Sequence, residues 1–134
     1  AGLVHPARNV QNGQDFICNC CGCCCGVLRS INEFGSSCGV ATNFYAEIDP
    51  DACTQCGVCA DERCQVNAIE EVDNGYQIIR GKCIGCGLCL STCPTDAITL
   101  ISKAQDERED PPEDEKQWFK MRGQARGVDF SQFV

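Results

Sequence analysis

The 134-residue chain has one histidine, one methionine, one tryptophan and two tyrosines, and aromatic residues make up only 7% of it. With His5 as the sole histidine, a mixed Cys/His zinc site lacks its nitrogen ligands, and a lone histidine near a chain end reads as exposed. Basic residues are also scarce. Eleven Lys plus Arg stand against nineteen Asp plus Glu, a formal net charge of −8. That balance argues against a nucleic-acid groove and against an anionic membrane surface. No stretch approaches the ~20 apolar residues that span a bilayer, and no basic-then-apolar leader opens the chain, so a cytoplasmic location is expected. The only Met is Met121. Ala1 is therefore not a translation start, and the chain reads as a processed product or a fragment of a longer polypeptide.

Cysteine is what the chain has in abundance: 15 residues of 134. The apolar fraction of 43% includes them; without them it falls to roughly 32%, thin for a self-sufficient core. Something besides hydrophobic burial must hold the fold. Disulfides would need an oxidising compartment, and an odd count leaves one thiol over. The spacing points elsewhere.

Three regions are expected: an N-terminal extension over 1–43 with a cysteine-dense knot, a duplicated unit over 44–101, and an acidic linker with a more basic tail over 102–134. The opening Ala1-Gly2-Leu3-Val4-His5 reads as the end of a helix broken by Pro6. Within the duplicated unit, Cys53, Cys56 and Cys59 recur 30 residues later as Cys83, Cys86 and Cys89. Cys64 recurs 29 later as Cys93, as does Ala68-Ile69 in Ala97-Ile98. Each half opens on an extended segment, Tyr45 to Ile48 and Tyr76 to Ile79. Each closes on another, Ala68 to Val72 and Ala97 to Ile101. Asp73-Asn74-Gly75 supplies the tight turn that would pair Ile69–Val72 with Tyr76–Ile79. Ala60–Cys64 and Leu88–Cys93 have room for one or two helical turns.

Cys83-Ile84-Gly85-Cys86-Gly87-Leu88-Cys89, then Cys93-Pro94, fits the C-x2-C-x2-C-x3-C-P run of bacterial ferredoxins at every position. A cubane cluster presents four iron corners, each wanting a thiolate. Three thiolates at two-residue gaps wrap one loop over three corners; the fourth must come from further along. Gly57, Gly85 and Gly87 let that loop bend close and aim N–H groups at sulfur. A zinc site would show two CxxC pairs instead.

Residues 45–101 thus resemble the two-cluster ferredoxin domain. The resemblance implies an α+β, ferredoxin-like, pseudo-twofold fold of short strands and short helices, carrying two 4Fe–4S clusters. It also implies crossed ligation: Cys53, Cys56 and Cys59 with Cys93 on one cluster, and Cys83, Cys86 and Cys89 with Cys64 on the other. Crossing would staple the halves and help so small a core to fold. Two positions depart from the pattern. Four residues, Ala60 to Arg63, precede Cys64 where three are usual, and Gln65 replaces the usual proline. The insertion is expected to lengthen the short helix near the second cluster; both departures bear on that cluster's potential or exposure.

Four thiolates per cubane leave no open coordination position, so the expected function is single-electron transfer rather than bond chemistry, with no catalytic residue. Each oxidised four-thiolate cubane adds about −2, taking the assembly to about −12 and favouring a low potential. Such a surface would dock on a basic patch of a redox partner, more weakly in salt. Tyr45 and Tyr76 occupy equivalent repeat positions and read as core aromatics.

The knot Cys18-Asn19-Cys20-Cys21-Gly22-Cys23-Cys24-Cys25 holds six thiols in eight residues. Cys18, Cys21 and Cys24 keep the two-residue gaps of the later triplets, so a third 4Fe–4S centre is expected there, with Cys38 as fourth ligand. Cys20, Cys23 and Cys25 are alternative ligands, zinc is an alternative metal, and unligated or disulfide-forming thiols are a further alternative. The GLVH opening, the CNCCGCCCG knot, the double ferredoxin run and a Trp-containing tail together resemble the C-terminal part of larger 4Fe–4S-binding proteins of anaerobic bacteria. An upstream parent polypeptide is therefore an expected partner. In the tail, Trp118, Met121 and Ala125 would share one helical face. Two other functions fit the pattern: an electron-input component of a larger oxidoreductase whose knot holds a substrate-binding cluster, and an iron–sulfur module sensing oxygen or redox state.

Overall fold

Asp73 and Asn74 reverse the chain between β2 (Ile69–Val72) and β3 (Gly75–Ile78), which pair antiparallel with Ile69 opposite Ile78 and Val72 opposite Gly75. The first strand, β1 (Phe44–Ile48), pairs instead with the last, β4 (Ile98–Ser102), with Phe44 opposite Ser102 and Ile48 opposite Ile98. Strands from the two repeats therefore alternate as partners. The opening strand of the first half bonds the closing strand of the second, and the closing strand of the first bonds the opening strand of the second. The elements belong to a computed structural model that describes residues 2–35, 40–130 and 132. Short strands and short helices give a small α+β architecture, consistent with a ferredoxin-like fold. The residues fall into two units, one of Ala1–His5 with Asn19–Glu109, the other of Pro6–Cys18 with Asp110–Val134.

The first unit has two small cores. Ala46, Ile69, Cys89 and Ile98 form one beneath the strand pairs. Val4, Leu28, Ile31, Val66, Ala68 and Ile84 form the other. Leu28 and Ile31 come from a nine-residue helix, α1 (Gly26–Phe34), where their three-residue spacing puts them on one face, 2% and 1% exposed. Burying each side chain contributes about 1.5–3 kcal/mol before conformational entropy is counted. Gly35 ends the helix in the left-handed region (φ 72°), its N–H donating to Ile31 O at 2.8 Å. The density of cysteine around this segment hides its Val27, Leu28, Ile31 and Gly35 helix signal.

The opening residues are not the end of a helix. Val4 and Cys20 exchange backbone hydrogen bonds of 2.9 and 2.8 Å in an antiparallel bridge, which buries Val4 in the second core. The extra residue of the first half also has a structural answer. Cys59–Arg63 form a single π turn in which Cys64 N–H donates to Cys59 O at 3.0 Å, five residues back. Its counterpart in the second half, Leu90–Thr92, is a 3₁₀ turn closed by Cys93 N–H on Leu90 O at 3.2 Å. A π turn is the usual way to absorb one inserted residue without displacing the chain beyond it.

In the second unit, α2 (Glu115–Arg126) starts at Asp114, whose side chain accepts the Gln117 N–H at 2.8 Å, and ends at left-handed Gly127. The expected Trp118–Met121–Ala125 face is not its packed face. Met121 and Ala125 are exposed and Gly123 is the buried residue, while Phe119 contacts Phe130 at 6.0 Å between ring centroids. Arg8 pairs with Asp15 and with Glu115 in the same unit. Among the described residues no helix is long and apolar enough to cross a membrane.

Candidate metal centres

Each cysteine triplet bends in the same way. Gln55 (φ 58°) and Gly57 (φ 77°) flank Cys56, and Gly85 (φ 63°) and Gly87 (φ 75°) flank Cys86. Two left-handed residues on either side of the middle cysteine curl the loop. Gly85 is also sterically required: a Cβ there would lie 2.5 Å from Phe44 O and 2.8 Å from Thr42 Oγ1. The fourth-cysteine segments match as well, with Asn67 (φ 49°) equivalent to Asp96 (φ 53°).

These loops line two separate recesses. One is lined by Cys53, Cys56 and Cys59 together with Cys93, and also by Tyr76, Ile48 and Ile98. The other is lined by Cys83, Cys86 and Cys89 together with Cys64, and also by Arg63, Ala46 and Ile69. Each recess thus gathers three cysteines of one half and one of the other. Tyr45 and Tyr76, equivalent in sequence, part company here. Tyr76 lines the first recess, whereas the Tyr45 ring lies 4.2 Å under the guanidinium of Arg80.

Backbone N–H groups point at sulfur in the second recess. Ala68 N–H donates to Cys64 Sγ at 3.1 Å and Ala46 N–H to Cys83 Sγ at 3.4 Å. Burial pushes the Cys89 thiol up to about 12, helped by the nearby charges of Cys86, Cys64 and Cys83. Burial likewise raises Cys86, and it raises Cys59 beside Cys56 and Cys53. At Cys93 burial acts upward too, but the N–H groups of Thr95, Ala97 and Ile98 with the Thr95 hydroxyl outweigh it, leaving the thiol below its ordinary value. Four thiolates crowded in apolar walls repel one another, so cationic iron is what would let them ionise together.

A further observation tests whether the second recess suits such a group. Arg63 Nε is buried without a hydrogen-bond partner, and among the described residues no carboxylate pairs with this guanidinium. An orphaned cationic donor on the wall of a thiol-lined recess fits an anionic occupant. The first recess has Thr92 at the equivalent position, its Oγ1 hydrogen-bonded to Cys89 O at 3.4 Å. Sequence spacing found the eight cysteines; Arg63 was visible only as the last residue of the insertion.

In the knot, the sulfurs of Cys21, Cys23 and Cys24 all lie within 4.8 Å of one another. Cys21 and Cys23 form a disulfide, and Cys24 Sγ is 3.4 Å from Cys23 Sγ. This trio mixes the two sequence frames, taking Cys21 and Cys24 from one and Cys23 from the other. Cys20 and Cys25 interact through their thiols; the N–H groups of Leu28 and Val27 at the start of α1 help lower Cys25. Cys18 belongs to the second unit, where its N–H donates to Pro6 O. Cys38 lies outside the described residues.

Comparison with known proteins finds 4Fe-4S relatives. Two family models, each described as a 4Fe-4S dicluster domain, match residues 46–100 and 82–127. An uncharacterised ferredoxin of Methanocaldococcus jannaschii is 33% identical over 91 residues, covering 67% of this chain and 54% of that protein. An iron–sulfur protein of Rhodospirillum rubrum is 31% identical over 102 residues, covering 68% and 54%. Pyruvate synthase subunit PorD of M. jannaschii is 32% identical over 71 residues, covering 52% of this chain and 81% of the subunit. The chain spans about half the length of the first two of these relatives.

Proposed function

We propose, from the premise that the chain belongs to the two-cluster 4Fe-4S ferredoxin family, that its two recesses hold the clusters by crossed ligation. Its function is iron–sulfur electron transfer through 4Fe–4S clusters, as the family match and the ferredoxin relatives indicate. Cys53, Cys56, Cys59 and Cys93 would hold one cluster, and Cys83, Cys86, Cys89 and Cys64 the other. The observation that carries this reading is the grouping of cysteines from opposite halves around each recess. The exchange of strand partners between the halves supports a pseudo-twofold arrangement. When bound, each cluster accepts and releases one electron. The protein's own part is to keep four thiolates in place, aim N–H groups such as those of Ala46 and Ala68 at sulfur, and close apolar side chains around the site.

A third metal centre in the knot belongs to the same proposal. The described trio Cys21, Cys23 and Cys24 supports three of its ligands. Its loading follows reduction of the Cys21–Cys23 disulfide by an added dithiol, which supplies two electrons and two protons and is itself oxidised to a disulfide. Cys-rich segment 1–43, duplicated unit 44–101 and tail 102–134 serve as the working domain division. The likeness to a PorD subunit supports a role as the electron-carrying component of a multi-subunit oxidoreductase. The net charge of −8 supports docking on a basic patch of its partner, and the reduced-thiol chemistry supports a cytoplasmic setting.

Anaerobic iron and sulfide counting tests the core of this reading. About eight irons and eight sulfides per chain are expected in the ferredoxin part. A folded protein holding zinc or fewer than about four irons after anaerobic reconstitution overturns it. Metal beyond eight irons that disappears in Cys21→Ser or Cys24→Ser supports the third centre; its absence in reduced, reconstituted protein removes it.

A further inference from the structure

The two recesses differ in one charged residue. Arg63 lines the recess of Cys64, Cys83, Cys86 and Cys89, its Nε buried and unpartnered. Among the described residues no Lys or Arg lines the recess of Cys53, Cys56, Cys59 and Cys93. On that side an acid stands close to a lining residue: a Cβ at Gly57 would lie 3.0 Å from Asp61 Oδ2. The π turn Cys59–Arg63 carries Asp61, Glu62 and Arg63, whereas the 3₁₀ turn Leu90–Thr92 carries no charge at all.

We propose that Arg63 is a potential-setting residue that holds the cluster at Cys64, Cys83, Cys86 and Cys89 at a higher reduction potential than its twin, so that an electron entering the protein settles there. The inference rests on the crossed ligation proposed above. Reduction adds one negative charge to an already anionic group. A fixed positive charge on the same wall stabilises the reduced form more than the oxidised form, and so does an N–H donor with no competing acceptor. Burial sharpens the effect because little water is present to screen it. Arginine suits the task because it stays protonated at every working pH. A salt bridge would cancel much of this influence, and Arg63 has none among the described residues. Its head group reaches the opening segment, with Nη1 3.2 Å from the point where a Gly2 Cβ would sit.

The test is Arg63→Met in the reconstituted full chain, read by an EPR-monitored redox titration that resolves the two midpoints, with iron counted on the same sample. The expected result is unchanged iron content and one midpoint lowered by roughly tenfold in the reduction equilibrium, about 59 mV for one electron, with the other midpoint unmoved. The shift should persist from about pH 6 to pH 9, because arginine does not titrate there. Arg63→Lys, which keeps the charge and loses the Nε donor, should show a smaller shift. It also serves as the probe if the methionine variant does not load. Two unmoved midpoints, or an equal shift of both, overturn the assignment of Arg63 while leaving the ligation intact. Crossed ligation instead fails separately, through Cys93→Ser and Cys64→Ser, if each empties the recess of the triplet that precedes it in sequence.

Discussion

Gln65 Oε1 accepts the backbone N–H of Gly22 at 2.8 Å, fastening the cysteine knot to the residue after Cys64. The contact is close on every side. A Cβ at Gly22 would lie 2.3 Å from Gln65 O, and Asn32 Nδ2 donates to that same carbonyl at 3.1 Å. Family members usually carry proline where this chain has Gln65, and a proline has no side-chain acceptor to offer. The Gln65 side chain therefore supplies a contact to the knot that a proline at this position would lack.

Gln65→Leu should release that contact without touching a thiol. Losing a part-buried hydrogen bond and leaving the Gly22 N–H unsatisfied should cost about 1–3 kcal/mol. Anaerobic thermal unfolding would measure the loss. Alkylation of the exposed Cys24 should quicken in the variant, while the iron count of the ferredoxin part stays the same. Unaltered stability and alkylation would show that the apolar contacts of Val4, Leu28 and Ile31 hold the knot alone.

Crossed ligation makes a prediction of its own. Cys93→Ser should empty the recess lined by Cys53, Cys56 and Cys59, although Cys89 is its nearest cysteine in sequence. Cys64→Ser should do the reverse. Iron would fall from about eight to about four per chain in each case, and the surviving EPR signals of the two variants should differ. Identical surviving signals would mean that ligation is not divided in this way.

Most of the site was legible from the spacing, because a cubane constrains its ligands more tightly than a core constrains its side chains. The eight cysteines, the Asp73-Asn74-Gly75 turn and the four strands are all written in the repeat. What stayed hidden depends on contacts between distant segments. Val4 has no local reason to be extended; it bridges to Cys20 sixteen residues away. α1 was obscured because its amphipathic signal begins inside the cysteine run. The trio Cys21, Cys23 and Cys24 ignores the two-residue period that works elsewhere, since adjacent Gly22 is pinned by Gln65 and turns the chain there.

Gly85→Ala should be among the most damaging single-methyl additions in the chain. The new Cβ would overlap Phe44 O at 2.5 Å, and the backbone would remain in the left-handed region that an L side chain disfavours. Since Gly85 borders Cys86, the expected outcome is loss of the cluster at Cys83, Cys86, Cys89 and Cys64, with the other retained. Gly26→Ala, where nothing lies within 4 Å of the added atom, is the matched control. Iron content and EPR of the two variants give the comparison.

Metal removal should leave a protein whose remaining stability depends on pH in a definite direction. Burial raises Cys89 to about 12, above the ordinary thiol value of 9.0, because the neutral form is favoured in the fold. That contribution is complete below the unfolded thiol's pKa and is lost as pH climbs through the folded value. Any structure left in the metal-free ferredoxin part should therefore melt as pH rises from about 9 toward 12, while reconstitution, which must drive thiol protons off, should slow as pH falls. Circular dichroism of the metal-free protein against pH, with stopped-flow absorbance during loading, reads both trends.

Removing the inserted residue should disturb neither ligation nor tuning. Glu62 is exposed, and deleting it would restore three residues between Cys59 and Cys64, matching the spacing of Cys89 and Cys93. The 3₁₀ turn at Leu90–Thr92 demonstrates that three residues suffice to bring a fourth cysteine to its recess, so the iron content should be unchanged. Thr92, the residue before Cys93, lines its recess from that shorter turn, so Arg63 should keep its place on the wall. The deletion should therefore preserve both clusters and leave the potential of the cluster at Cys64 unmoved. Loss of half the iron would instead mean that the longer turn is needed for Cys64 to reach the site.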